Sequence, residues 1–151
     1  MGKKEYDPAM HTAEHILNQT MDRLFKCGRS FNAHVERKKS KCDYRFPRQL
    51  TAEEVVAVEA AVNRVIGENL PVTEAMVDRA EAEKSYFTGK LPPEAGERIR
   101  IVRVGDYDAC PCIGRHVRST AEIPGFHIAS TGHENGVLRI RFTLQPPADA
   151  L

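Results

Sequence analysis

Two short segments, about a hundred residues apart, restrict this chain more than any other feature. The first, HTAEH, sets His11 and His15 four positions apart. On a helix such residues share one face, a turn apart. The second, CPCIGRHV, offers Cys110, Cys112 and His116, with Cys112 and His116 in a C-x-x-x-H arrangement. Each segment alone is a weak signal, since a histidine pair at this spacing is most often a surface or cleft pair. Together they supply four nitrogen or sulfur ligands. Zinc suits that set, because it takes thiolate and imidazole in a tetrahedral site and needs no redox chemistry. A shared ion would force a helix near the start of the chain against a segment near its far end. Cys110 is a rival to Cys112 or an additional thiol, and Pro111 between them disfavours both pointing the same way along a regular strand. HTAEH also fits H-x-x-E-H, the inverzincin peptidase pattern, with Glu14 as general base. That reading leaves C-x-x-x-H unused, and 151 residues are few for an enclosed peptidase chamber. Glu14 then reads as a solvated helix glutamate.

The local patterns give an α+β fold with helices packed on a largely antiparallel sheet. Asp7-Pro8 is a helix start, with Asp at the N-cap and Pro at the first helical position. Met10, Ala13, Leu17, Met21 and Leu24 form its apolar stripe, and Cys27-Gly28 ends it. At helical spacing His11, His15, Asn18 and Asp22 point away from that stripe, into solvent or a cleft. Phe31, Ala33 and Val35 alternate, as do Cys42, Tyr44 and Phe46, which predicts two antiparallel strands joined through Lys38-Lys39-Ser40. Thr51 with Glu54 makes a capping box for a helix running to about Glu68, with Val55, Val58, Val62, Val65 and Ile66 inward. A strand over Val72 to Val77, a short polar helix over Asp78 to Tyr86 and a loop over Gly89 to Gly96 follow. Strands are expected at Ile99 to Val104, Phe126 to Ser130 and Val137 to Leu144, the last two joined by a turn at Asn135-Gly136. Residues 1–151 read as one domain, with a frayed tail after about residue 145.

Composition excludes whole classes. With 41% apolar and 28% charged residues the chain is not a disordered one. No apolar run approaches the ~20 residues of a bilayer span. MGKKEYDPAM has no apolar stretch behind its charges, so no signal peptide is expected and the protein reads as cytoplasmic. Its four cysteines are then free or metal-bound rather than bridged, with Cys27 and Cys42 as buried thiols. The net charge of +1 hides an asymmetry. Residues 1–50 carry 11 basic against 6 acidic side chains, and residues 51–100 carry 6 against 10. Arg37, Lys38, Lys39, Lys41, Arg45 and Arg48 cluster around the first hairpin, relieved by Glu36 and Asp43, and form a candidate phosphate-binding patch. The plainer alternative is a sheet edge protected by lysines. His34, His127 and His133 show no partner spacing.

HTAEHIL, CIGRHV, TAEIPGFHIAS and GVLRIRF, in that order, resemble the editing domain shared by alanyl- and threonyl-tRNA synthetases. The likeness is nearest to the small stand-alone alanyl-tRNA editing proteins and covers roughly Asp7 to Leu144. CDYRFPRQLTAEEVVAVEAAVNRVIGENLPV is similar to the strand, helix and "N-x-x-I-x-x-N" segment of the same family. The resemblance implies an α+β fold and one zinc ion held by His11, His15, Cys112 and His116. It implies trans-acting hydrolysis of the ester that joins a wrong amino acid, serine or glycine, to the acceptor 3′ end of tRNA(Ala). His11, His15 and Thr12 become the catalytic positions, with Thr12 reading the serine side chain. Arg115 would meet a phosphate or the substrate carbonyl, and Lys38, Lys39, Lys41 and Arg45 the tRNA. The partner is tRNA, with no membrane and no obligate protein partner. The chain departs from the family at CIGRH, where alanyl-type domains read CGGTH, so Ile113 and Arg115 stand beside the metal position in place of a small residue and a threonine. Alternatives are editing of Ser-tRNA(Thr) and a non-catalytic, zinc-stabilised RNA-binding module. The editing reading expects damage from Cys112→Ala and tolerance at Glu14, and the peptidase reading expects the reverse.

Overall fold

The computed structural model describes residues 7–85 and 96–145. It is α+β, with three helices and two antiparallel sheets among the described residues. The first helix, α1 (Pro8–Phe25), starts where Asp7 accepts hydrogen bonds from the Ala9 and Met10 amides, and ends with Lys26 in the left-handed conformation. A short β1 (Asn32–His34) and a longer β2 (Ser40–Arg45) follow. The capping box of Thr51 and Glu54 opens α2 (Ala52–Gly67). Next come β3 (Val72–Asp78), α3 (Arg79–Ser85), β4 (Arg98–Val104) and β5 (Asp108–Pro111). A 3-10 turn (Thr120–Glu122) leads into β6 (Gly125–Glu134) and β7 (Val137–Gln145).

The main sheet has the order β1-β2-β7-β6 and the smaller one the order β3-β4-β5. Alternation along β2 and β7 buries Cys42, Tyr44, Leu138, Ile140 and Phe142 against α1 and α2. The opposite face of the same strands carries Lys41 across from Arg141 and Asp43 across from Arg139. Met10, Ala13, Ile16, Leu17 and Met21 of α1 and Val58, Val62 and Val65 of α2 complete this core. A second, small core sits under α3, where Ala82 meets Ile99 and Ile101. Asn135 and Gly136, both at positive φ, make the two-residue turn between β6 and β7 that the sequence announces.

Several expectations shift. The apolar stripe of α1 stops at Met21, since Leu24 is 48% exposed. Phe31 lies outside β1 and is covered on one side by the Arg45 guanidinium, 4.1 Å from its ring. Cys27 is half-buried rather than buried. β5 and the 3-10 turn are not apparent in the sequence pattern, because each is too short to show a period. Tyr86, most of the expected Gly89 to Gly96 loop and the tail after residue 145 lie outside the described residues. No helix among the described residues is long and apolar enough to cross a membrane.

The fold places β5 and the segment that follows it against the histidine face of α1. Backbone bonds from Val72 to Arg118 and from Thr120 to Leu70 tie that segment to the start of β3. Arg100 of β4 clamps it from below. Its guanidinium donates to the carbonyls of Cys112 (3.0 Å) and Gly114 (2.7 Å) while pairing with Glu74 at 2.9 Å. The first three turns of α1 are therefore buried on both sides, and the polar residues of its second face are interior residues.

Candidate metal centre

His11 and His15 come from α1, and Cys112 and His116 from the segment after β5. The four offer ligand atoms that all lie within 4.8 Å of one another. Cys112 Sγ is 3.4 Å from His11 Nε2 and 3.5 Å from His116 Nε2. A tetrahedral ion with Zn–S near 2.3 Å and Zn–N near 2.0 Å would set S···N edges of roughly 3.5 Å. The three imidazoles surround the position, with His11 stacked on His116 (centroids 4.3 Å) and His15 edge-on to both (5.1 and 4.5 Å).

The second nitrogen of each ring is already spoken for. His11 Nδ1 lies 3.3 Å from the Arg115 carbonyl, which can only accept, so Nδ1 carries the proton. Thr12 Oγ1 donates its one proton to the Pro8 carbonyl (3.0 Å) and so accepts from Nδ1–H of His116 (2.9 Å) and from the Val117 amide (3.3 Å). His15 Nδ1 faces Cys110 Sγ (3.3 Å) and Asp108 Oδ2 (3.6 Å). All three rings thus have Nε2 left as the ligand atom. Such partners on the far nitrogen are what orients metal-binding imidazoles.

Charge follows the same plan. Burial pushes the Cys112 thiol up, but hydrogen bonds from His11, His116 and His15 outweigh it and bring the pKa down to about 3. Zinc takes cysteine as thiolate and histidine as neutral imidazole, so binding the ion would replace the Nε2 protons that hold the thiolate in its absence. Burial lowers His116 below the ordinary histidine value. Burial also opposes charge on His15, yet its hydrogen bonds to Asp108, Cys110 and Cys112 hold it well above that value. Asp108, resisted by burial but paired with His15 and Arg29, lies at about 2. Donor set, spacing and the partners on the far ring nitrogens all fit a zinc ion.

A second group, His15, Asp108 and Cys110, has metal-like composition. Its cation is already present. Arg29 Nη1 lies 2.7 Å from Asp108 and Nη2 lies 3.3 Å from Cys110 Sγ, with Gln19 donating to Asp108 at 2.9 Å. This group props His15 instead of competing for it. Cys110 Sγ lies 3.3 Å from His15 Nδ1 and Cys112 Sγ within 4.8 Å of the same ring's ligand atom, so the two thiols do share a side despite Pro111. Residues two apart on an extended chain face the same way, and Cys112 lies just beyond the end of β5.

Thr12 is fully buried beneath His116. Arg115 is exposed, and its carbonyl, not its guanidinium, touches the cluster. Lys38 and Lys39 sit exposed on the β1–β2 connection, with Lys41 and Arg45 on β2, on elements separate from the cluster. Three participants escape a reading of sequence alone. Arg100 and Asp108 act through long-range pairs. Gly114 is needed because a Cβ there would land on the His11 ring at Cε1 and Nδ1. Its one available signal was its place between two ligands. Beside His116 opens a cleft of about 190 Å³ walled by Thr73, Glu74, Arg100, Val102 and Arg118.

Residues 99–141 match the family described as threonyl and alanyl tRNA synthetase second additional domain. The chain is 38% identical to the alanine–tRNA ligase of Aeropyrum pernix over 140 residues, 87% of this chain and 15% of that protein. It is 36% identical to that of Ligilactobacillus salivarius over 132 residues, 86% of this chain and 15% of that protein. The figures for Methanothrix thermoacetophila are 35%, 140 residues, 87% and 15%. The chain thus spans about 15% of the length of these relatives. It belongs to the family of the threonyl- and alanyl-tRNA synthetase second additional domain.

Proposed function

We propose that this protein is a zinc-dependent aminoacyl-tRNA deacylase that acts in trans, hydrolysing the ester of serine, or glycine, on tRNA(Ala). The observation that carries the reading is the convergence of His11, His15, Cys112 and His116 in a chain whose relatives are alanine–tRNA ligases. A ligase pocket rejects serine poorly, because serine only adds a hydroxyl to alanine. A second site that hydrogen-bonds this hydroxyl can spare alanine, which would leave the site's polar groups unpaired.

When bound, zinc supplies Lewis acidity, polarising the ester carbonyl and making water more acidic. The protein's own residues do the rest. Arg115, Thr12 and Asp108 with Cys110 hold the far nitrogens of the three imidazoles. Arg100 fixes the turn that presents Cys112. The cleft at His116, bordered by Arg118, offers a cationic group for the 3′-terminal nucleotide. Lys38, Lys39, Lys41 and Arg45 would neutralise phosphates further along the tRNA.

The deciding experiment is deacylation of a small panel, Ser-tRNA(Ala), Gly-tRNA(Ala), Ala-tRNA(Ala) and Ser-tRNA(Thr), with and without a chelator. Turnover on the first two, abolished by the chelator and restored by zinc, is the expected result. Preference for Ser-tRNA(Thr) would reassign the substrate. Tight tRNA binding with no turnover would make the protein a zinc-stabilised RNA-binding module.

A further inference from the structure

We propose that Glu14 is a catalytic residue, the acceptor for the proton of the water that attacks the aminoacyl ester. The sequence reads Glu14 as solvated, and the editing reading alone expects it to be dispensable. The structure buries it to 7% exposure, on the same face of α1 as His11 and His15. Glutamate is almost never this buried unless it is paired or has a task.

Its two oxygens are treated differently. Asn18 donates from Nδ2 to Oε2 at 2.7 Å. The orientation of that amide is not free, because Asn18 Oδ1 accepts from Tyr44 Oη at 2.7 Å and from the Ser30 amide at 3.1 Å. Nδ2 must therefore face Glu14, and the carboxylate is locked by a buried chain of three residues. Oε1 is turned toward the imidazoles, 3.8 Å from His11 Nε2 and 4.0 Å from His15 Nε2. These distances lie outside hydrogen bonding, so the lone pairs of Oε1 are not used up by the rings. Nor is Glu14 one of the four groups that close on one another. It stands beside the cluster, rigid, with one acceptor atom directed at the same place as two ligand nitrogens.

An ester is cleaved by water slowly because neutral water is a poor nucleophile. A base within hydrogen-bond reach typically contributes on the order of 10²–10⁴ in rate. In the proposed step the water oxygen bonds to the carbonyl carbon as its proton passes to Oε1. The resulting tetrahedral adduct then breaks its bond to the ribose oxygen, which takes the proton back from Glu14. One water is consumed, an acid and a free hydroxyl are released, and the carboxylate is regenerated. Pinning Oε2 through Asn18 stops the base from rotating away between the two transfers.

This rests on the deacylase reading, and the test separates the two. Zinc-loaded wild type, Glu14→Gln and Glu14→Ala are assayed on Ser-tRNA(Ala), with zinc content, chelator competition and thermal unfolding measured on each. Glu14→Gln keeps an oxygen for Asn18, so it should fold and hold one zinc while the deacylation rate drops at least ~100-fold. Glu14→Ala should recover activity on addition of formate, a carboxylate small enough for the vacated space, and wild type should not respond. An active wild type with Glu14→Gln at near-wild-type rate overturns the assignment and leaves the deacylase reading standing. Loss of zinc or of folding in proportion to the lost rate, with no formate rescue, makes Glu14 structural and also overturns it. A wild type that releases no serine removes both readings.

Discussion

The hydroxyl of Thr12 lies 2.9 Å from Nδ1 of His116, across 104 positions of sequence, while its own proton is committed to the Pro8 carbonyl. One side chain on the second turn of α1 thereby decides which nitrogen of a distant imidazole carries hydrogen. Thr12→Val keeps the shape and removes the acceptor, leaving two half-buried donors unpaired, Nδ1–H of His116 and the Val117 amide. Zinc affinity should fall about 10–100-fold, as it does when such supporting partners are lost, and Thr12→Ser should retain most of it. Competition against a chromophoric chelator reads this directly. Equal affinities for the valine and serine variants would show that the hydroxyl does not orient His116.

The close approach of Gly114 to His11 is a steric requirement with a clear control. A methyl at Gly114 has to displace the His11 ring, and overpacking of this kind costs about 1–3 kcal/mol. Gly114→Ala should therefore lower the melting temperature and also weaken zinc binding, because the displaced ring is a ligand. Gly132→Ala, in β6, meets nothing within 4 Å and should leave both unchanged. A zinc titration of Gly114→Ala matching wild type would mean that the 112–116 turn yields without moving His11.

The elements that carry the site were legible because their signals are local. Asp7-Pro8, the Thr51–Glu54 box and Asn135-Gly136 each fix their own neighbourhood, and all three occur where the pattern puts them. The meeting of HTAEH with CIGRH could be inferred since a tetrahedral ligand set is a long-range constraint that shows in residue types. What the sequence concealed is set by tertiary packing. Glu14 looks like any helix glutamate until Asn18, backed by Tyr44 and Ser30, fixes it in the interior, and Asp108 looks like a turn residue until Arg29, Gln19 and His15 converge on it. Pro111 misled for the opposite reason. It gives up a backbone donor, but it leaves the alternation of Cys110 and Cys112 intact.

On the far face of the main sheet, stability should depend on acid through Asp43. Its carboxylate accepts two hydrogen bonds from Arg139, at 2.8 and 2.9 Å. The Arg139 bonds hold its pKa below the usual aspartate value, against burial, with Asn32 assisting. A carboxyl whose folded pKa is depressed stabilises the fold above its unfolded pKa of about 4 and loses that contribution as pH falls through the folded value. Urea midpoints of wild type and Asp43→Asn should therefore differ most at neutral pH and converge below about pH 4. A gap that persists unchanged into strong acid would show that the lost stability came from the shape of Asp43 and not from its charge.

The basic side chains of the first hairpin make a prediction about salt, not about chemistry. Lys38 and Lys39 are exposed, and Lys41 lies opposite Arg141 on the outer face of the sheet. If they neutralise tRNA phosphates, each contact releases about 0.7–0.9 of a counterion, and log K falls linearly with log salt. Replacing Lys38, Lys39 and Lys41 together by glutamine should flatten that slope by roughly 2–3 units and weaken binding at low salt far more than at high salt. Cleavage of substrate already bound should proceed at the wild-type rate, because none of the three lies on the elements that build the cluster. A matched pair of exposed substitutions on the smaller sheet and its helix, Lys84→Gln and Arg98→Gln, supplies the comparison. Identical slopes for wild type and the hairpin triple variant, or an equal flattening by the control pair, would move the tRNA path away from this hairpin and leave its lysines as protection for the open edge at β1.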